Sequence, residues 1–389
     1  MQTIAHLDLD CFFVSCERIK NPALIGKPVV VGGNPTTRAV VSSASYEARK
    51  FGVRSAMPTR EAKRLCPTAI FVSPDFDCYS HFSHEVKHFL ERVAPVVEQA
   101  SIDEFYLDLT GCGRIYPNLF AFGSSVKECL VREFKLPSTV GIASSKLVSK
   151  IAVNQIKPDG LIQIEHGREA QFLDPLSVDA MPGIGKVTAR EMNRRGLKTL
   201  GDVARANEFF LKERFGLWGL EFKRLASGSD DRRVVPWEDP KSISRETTFE
   251  RDLDKADFLL SVLSSFVEEC AAELRHYSFK TRTVTVKFRL PDFKTFERSK
   301  KIRATHDEKE IYRTAEQLFL DHWKPAMKLR LLGAGVSNFD TSCPTPNLFP
   351  NPEAEKRESL LRQVDVIRAK YGLEAIHIGS SLRRSPDPL

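Results

Sequence analysis

Ala5-His6-Leu7-Asp8-Leu9-Asp10-Cys11-Phe12-Phe13 and Ser101-Ile102-Asp103-Glu104-Phe105-Tyr106-Leu107-Asp108 read as two short apolar strands, yet both carry carboxylates. An ionised carboxylate inside an apolar strand is costly unless a cation compensates it. Oxygen ligands clustered at strand ends suit a hard divalent ion such as Mg2+, which keeps waters or substrate phosphates in its shell. Two such ions about 3.5–4 Å apart drive in-line phosphoryl transfer. Taken singly, Asp8, Asp10 or Asp108 reads equally well as a strand cap accepting backbone hydrogen bonds. Asp8 and Asp10 alternate to the same strand face, whereas the adjacent Asp103 and Glu104 diverge unless they sit at a bend. A bend there aims both acids at an ion pair anchored by Asp8.

Outward from these strands, residues 1 to about 165 alternate strand-like runs (3–9, 28–32, 39–42, 103–109, 138–143) with amphipathic segments, the pattern of an α/β or α+β body. In one segment Phe82, Val86, Phe89, Leu90 and Val93 share a helical face and leave His81, His84 and His88 on the other. Without a neighbouring acid-ligand pattern these histidines read as a solvated face, not a metal site. Short helices and glycine turns fill 174–228, and the polar stretch 229–242, with Pro236 and Pro240, reads as a linker. A second α/β unit follows over 243–339: strand, helix 255–277, strands 281–290 and 294–303, helix 307–323, strand 328–338. Thr305-His306-Asp307-Glu308 is a capping-box pattern at the start of its second helix. Within 281–290, Val284, Val286, Phe288 and Leu290 share one face and Thr283, Thr285, Lys287 and Arg289 the other. The first face packs on helices and leaves the second free to lie along phosphates.

The 389 residues, 42% hydrophobic and 28% charged, suffice for two to four ordinary domains and exclude a disordered or fibrous chain. The net charge of +7 is concentrated, because residues 275–303 hold ten Lys or Arg against two acids. Such a patch is the electrostatic footprint of nucleic-acid binding. Eight cysteines form no C-x-x-C pair, which favours reduced thiols and a cytoplasmic location. No basic-then-apolar leader and no run of about 18 apolar residues occurs, so neither export nor membrane insertion is expected.

Asp8-Leu9-Asp10-Cys11-Phe12-Phe13, Ser43-Ala44-Ser45-Tyr46-Glu47-Ala48-Arg49-Lys50-Phe51-Gly52, Ser101-Ile102-Asp103-Glu104 and Lys157-Pro158-Asp159-Gly160 resemble, in that order, the motifs of Y-family DNA polymerases of the bacterial DNA polymerase IV type. The resemblance extends to about Ser342. It implies a multidomain α/β and α+β right-hand polymerase: palm 1–10 and 74–165, fingers 11–73, thumb 166–228, linker 229–242, little finger 243–340 and C-terminal tail 341–389. It also implies that Asp8, Asp103 and Glu104 ligate two Mg2+ ions, with the Leu9 carbonyl as a backbone ligand and Asp10 in a structural role. Phe12, Ser43, Tyr46, Arg49 and Lys157 then bind the deoxynucleoside triphosphate, helped by the N-terminus of a helix over 45–51. The ring of Phe13 excludes a 2′-hydroxyl by overlap; strand physics alone does not choose between Phe12 and Phe13, and the motif alignment does.

Met181-Pro182-Gly183-Ile184-Gly185-Lys186 is a helix-hairpin-helix signature whose glycines let backbone N–H groups approach a duplex phosphate. Gly183, Gly185 and Lys186, with Lys287, Arg289, Lys300 and Lys301 in the basic segment, are the expected contacts to primer–template DNA. In the tail, Thr345-Pro346-Asn347-Leu348-Phe349 resembles the Leu-Phe end of a sliding-clamp-binding peptide but lacks its leading Gln, and reads equally as a linker. The function implied is low-fidelity translesion synthesis by a monomer without a proofreading exonuclease. Two rivals remain at this point. A palm-fold nucleotidyl cyclase would share the acids but needs no helix-hairpin-helix, and a degenerate DNA-binding repair scaffold would not need intact Asp8, Asp103 and Glu104.

Overall fold

The computed structural model describes residues 2–341, 352–372 and 375–382. The chain divides into two compact units, 1–238 and 239–389.

The first unit contains strands β1 (Ile4–Leu9), β2 (Val29–Gly32), β3 (Val41–Ala44), β4 (Ile70–Val72), β5 (Val96–Gln99), β6 (Glu104–Asp108), β7 (Ser138–Ala143) and β8 (Leu161–Gln163). Five of them form one sheet in the order β5-β6-β1-β7-β8, antiparallel except for the β7–β8 pair. β1 is central and buried along its whole length, which explains why its sequence is a continuous apolar run interrupted only by His6 and Asp8. Helices Phe76–Val93 and Lys146–Ile156 cover the sheet with Leu90, Val86, Val148 and Ile151. The first of these starts five residues before the sequence-predicted 81, because the Asp75 side chain caps the Cys78 N–H at 3.1 Å. His81, His84 and His88 lie on its exposed face as expected.

The strands β3-β2-β4 form a small sheet with its own core of Val30, Val41, Ala48 and Ala62. Five short helices between Glu169 and Ala226 share a core with Leu147 and Ile151 of the sheet-covering helix. The stretch read as a polar linker is partly built in. Asp230 accepts the Leu147 N–H at 2.9 Å, Val234 buries against Ile4 and Tyr106, and the Val235 N–H donates to Glu98 at 2.8 Å.

The second unit holds strands β9 (Ser242–Leu253), β10 (Lys280–Arg289), β11 (Thr295–Thr305) and β12 (Leu329–Asp340) in an antiparallel sheet of order β11-β10-β12-β9. Helices Ala256–His276 and Glu308–His322 pack on one face, against Val284, Val286 and Phe288. Asp307 caps the second helix, accepting the Lys309 N–H at 2.8 Å. A further helix, Pro352–Tyr371, docks on the same side, burying Leu361 and a set of ion pairs. Arg368 is buried against Glu268 (2.7 Å) and Glu308 (3.3 Å), and Asp365 takes two hydrogen bonds from Arg275. This unit therefore continues past residue 340 into part of the segment read as a tail. Leu348 and Phe349 lie outside the described residues.

Candidate active site

β1 delivers Asp8 to the end of the five-stranded sheet, opposite Glu104 on β6 and Thr139 on β7. Directly paired residues of a ladder share a face, so Asp8 and Glu104 stand side by side. Just before Glu104 the chain bends. Ser101 Oγ donates to Asp103 at 2.6 Å and accepts the Glu104 N–H at 3.1 Å, while the Leu9 N–H donates to the Asp103 carbonyl at 2.9 Å. That bend resolves the problem of two adjacent acids on opposite faces: Asp103 lines the cavity beside Asp8, and Glu104 faces Asp8 across the ladder, where Lys150 pairs with it.

Asp8 is 4% exposed and ion-paired to Lys157. Burial raises its carboxyl to about 7, with Lys157 pulling the other way and Asp103 and Glu104 adding to the rise. Asp10, two residues on, is a strut. Its carboxylate accepts hydrogen bonds from Thr139 Oγ1 (3.0 Å), the Asp159 N–H (2.8 Å) and Tyr46 Oη (3.2 Å). Those bonds fix the turn that carries Lys157. Gly160 completes the turn because a Cβ there would stand 2.6 Å from the Ile156 carbonyl oxygen.

The cavity over these acids measures about 120 Å3 and is lined by Asp8, Leu9, Phe12, Phe13, Ser43, Tyr46, Arg49, Asp103 and Lys157. The structure thus gathers nearly all the sequence-predicted metal and nucleotide residues in one place. Cys11, Ser42 and Ser55 join them. The Arg49 guanidinium lies 4.7 Å from the Tyr46 ring centroid and its Nε donates to the Ala44 carbonyl at 3.0 Å, so the cation is positioned in advance. The helix expected over 45–51 spans only Tyr46–Arg49. Its last turn tightens into Phe51 N–H to Ala48 and Gly52 N–H to Arg49 bonds, and Ser45 Oγ takes the Ala48 N–H at 3.2 Å. This helix start is capped by its own serine, which takes one of its first-turn N–H groups.

Phe13 is half-buried and stacks on Tyr79 with centroids 4.3 Å apart and planes 13° from parallel, while Phe76 meets it edge-on at 5.9 Å. Tyr79 Oη donates to the buried Glu17 at 2.7 Å. Phe12 turns into the core at 2% exposure.

Gly183 has φ +96°, and Gly185 precedes helix Lys186–Arg194 with no side-chain cap. Met181 and Ile184 anchor the turn in the core while Pro182, Gly183, Gly185 and Lys186 are exposed, which leaves backbone N–H groups accessible to a phosphate.

The basic segment is less free than its composition implied. Arg275 is buried in ion pairs with Asp365 and Glu308. Lys287 pairs with Glu246 at 2.7 Å, and Arg282 with Asp340 at 2.6 Å. Lys287 and Arg289 do share the open face of the sheet, and Lys301, opposite Thr283, joins them. Lys300 is opposite Val284 and points to the other face. Grouping Lys300 with Lys301 is corrected by the two-residue period of the strand. The open face is floored by Gly333, Gly335, Ser244 and Ser337, forming a groove of about 280 Å3.

Three groups escaped the sequence reading. His6 falls on the Asp8 face by the same two-residue alternation that placed Asp10, Lys150 follows from its position facing β6, and Tyr79 with Glu17 gave no local signal.

Residues 7–154 match the impB/mucB/samB family and residues 240–347 its C-terminal domain. The chain is 39% identical over 388 residues to DNA polymerase IV of Dehalococcoides mccartyi, covering 98% of each, and 36% identical over 356 residues to that of Leptospira interrogans, covering 90% of this chain and 98% of the relative. The chain belongs to the Y family of DNA polymerases, bacterial DNA polymerase IV type. Among solved structures, a Y-family DNA polymerase chimera of Dbh and Dpo4 matches with a TM-score of 0.78 at 28% identity, covering 87% of this chain and 100% of the other. DinB from Sulfolobus solfataricus matches at 0.60 and 29%, covering 86% and 98%. The expected fold class is borne out, and this Y-family chain is a DNA-directed DNA polymerase with a C-terminal little-finger domain. The cyclase and scaffold alternatives fall away. Among the described residues, no helix of this polymerase is long and apolar enough to cross a membrane.

Proposed function

We propose that this polymerase performs translesion synthesis in DNA damage tolerance, adding deoxynucleotides to a primer 3′ end by a two-Mg2+ reaction at Asp8, Asp103 and Glu104, without proofreading. The observation that carries the reading is the buried Asp8 carboxylate, set beside Asp103 and Glu104, ion-paired to Lys157 and in the cavity that Arg49 also lines. Three carboxylates and the Leu9 carbonyl form a hard, all-oxygen donor set of the kind Mg2+ takes. Divalent ions bound by Asp8, Asp103, Glu104 and the Leu9 carbonyl would supply Lewis-acid activation of the primer hydroxyl and charge neutralisation on the departing pyrophosphate.

The remaining work falls to the chain's own groups. Lys157, now paired with Asp8, would be released to the triphosphate once the carboxylates hold metal. Arg49 grips phosphate oxygens through the guanidinium that Tyr46 and Ala44 hold in place, and Ser43 adds a hydroxyl. Phe13, immobilised against Tyr79, closes the space a 2′-hydroxyl would need. These groups act by position and electrostatics. Sequence 1–10 with 74–165 serves as palm, 11–73 as fingers and 166–228 as thumb, whose Gly183-Ile184-Gly185-Lys186 turn holds duplex phosphates. Lys287, Arg289 and Lys301 on the little finger bind further phosphates. We also infer a cytoplasmic monomer, with a sliding-clamp contact through Leu348 and Phe349. Primer extension on undamaged and abasic templates, with Mg2+ and each deoxynucleotide, tests the assignment; degradation of a mismatched primer end, or no extension, would refute it.

A further inference from the structure

β1 places one more side chain on the face of the catalytic carboxylates, and nothing described so far uses it. His6 is fully buried, its ring 4.5 Å from Tyr106, and neither ring nitrogen has a hydrogen-bond partner. A buried polar atom without a partner is destabilising, so the ring is poised to gain one. One His6 nitrogen, one Asp8 carboxylate oxygen and one Glu104 carboxylate oxygen all lie within 4.8 Å of one another. A tetrahedral ion bonded at about 2.0–2.2 Å holds its donors roughly 3.5 Å apart, so modest side-chain rotation closes the set.

We propose that His6, Asp8 and Glu104 form a site for a borderline divalent transition ion, Zn2+ or its spectroscopic substitute Co2+. The donor chemistry separates this site from the all-oxygen one. Imidazole strengthens binding of Zn2+ and Co2+, whereas Mg2+ favours oxygen ligands. The placement is dictated by the sheet: His6 and Asp8 are two residues apart on β1, and Glu104 is the direct cross-strand neighbour of Asp8. Lys150 and Lys157, which pair with Glu104 and Asp8, give way to the ion. An occupied site removes two carboxylates from the Mg2+ set, so the ion inhibits synthesis. Inhibition rests on the two-Mg2+ reading; binding does not.

The test is titration of Co2+ into the full chain without DNA or nucleotide, followed by visible absorption, with Zn2+ uptake measured in parallel by calorimetry. Wild type should bind one equivalent that His6→Leu loses or binds roughly tenfold or more weakly, with Mg2+ uptake the same in both. Asp103→Ala should retain the Co2+ band while losing synthesis, which keeps this site distinguishable from the catalytic assignment. If His6→Leu melts below wild type, His6→Asn replaces it under the same criteria. An unchanged Co2+ spectrum and stoichiometry in a normally folded His6 variant would overturn the proposal. In Mg2+-supported extension, normalised to each variant's own rate, the His6 variant should need at least about tenfold more Zn2+ for half-inhibition; an identical inhibition curve would overturn the inhibitory role, while the Co2+ titration alone decides binding.

Discussion

The carboxylate end of β1 and the open face of the little-finger sheet are both dense in charge, and they behave in opposite ways. At β1 the carboxylates are buried or half-buried, every one has an assigned neighbour, and displacing one strands another: Asp8 on Lys157, Glu104 on Lys150, Asp10 on Thr139, Tyr46 and Asp159. On the open face Lys287 is neutralised by Glu246 and Glu297 while Lys301 projects into solvent. Buried charge tolerates little substitution because desolvation is expensive, whereas exposed ion pairs are worth at most about 1 kcal/mol. The first region concentrates its effect in single atoms, and the second spreads it over many.

The largest expected effect tests that concentration. Asp103→Ala should cut nucleotide incorporation by about a thousandfold while primer–template affinity stays within a factor of about two, since affinity comes from phosphates held elsewhere. Single-turnover insertion beside a binding titration decides; extension at a tenth of the normal rate would remove Asp103 from the metal set.

Next comes the buried network of the second unit, which should behave like β1 and unlike the open face a few strands away. Arg368→Ala leaves Glu268 and Glu308 buried without their cation and should destabilise this unit by roughly 3–5 kcal/mol. Insertion at saturating DNA should persist. Chemical denaturation of the variant gives the number, and a loss under about 1 kcal/mol would class Arg368 with the surface pairs.

Phe13→Ala should relax discrimination against ribonucleotides by roughly a hundredfold, whereas Phe12→Ala, which empties core volume, should cost stability of about 3–5 kcal/mol and leave discrimination largely intact. Reversed outcomes in a competition between ribo- and deoxynucleotides would exchange their roles.

The smallest effect belongs to the open face. Neutralising Lys287, Arg289 and Lys301 together should flatten the dependence of log binding constant on log salt by about 0.9 for each DNA phosphate that is no longer neutralised, and Lys300→Ala alone should change it less than Lys301→Ala. Equal slopes for the two single variants would mean that facing does not matter on this edge strand.

Much of the site was legible because its physics is local or periodic. Asp8, Asp103 and Glu104 stand out as carboxylates in apolar strands, and the alternation in β10 separates Val284, Val286 and Phe288 from Lys287 and Arg289 without knowledge of the partners. What stayed hidden depends on distance in sequence. Tyr79 backs Phe13 across 66 residues, and Arg368 meets Glu268 across 100, with no pattern at either end to announce it. The charge excess of residues 275–303 overstated the free basic surface for the same reason: the acids that neutralise Arg275, Arg282 and Lys287 are supplied by Asp365, Asp340 and Glu246. His6 was missed although alternation from Asp8 points to it.

The bond from the Asp159 N–H to Asp10 joins groups 149 positions apart. A ribosome making this chain releases all three acids well before it releases Lys157. Until about residue 160 has cleared the exit tunnel, the nascent enzyme holds the acids without the lysine, and Asp10 has no turn to brace. Contacts of such long separation form late in folding because the loop entropy must be overcome first. On the proposed assignment, catalytic competence is timed to the completion of the first unit, and a chain stalled before that point lacks the assembled centre.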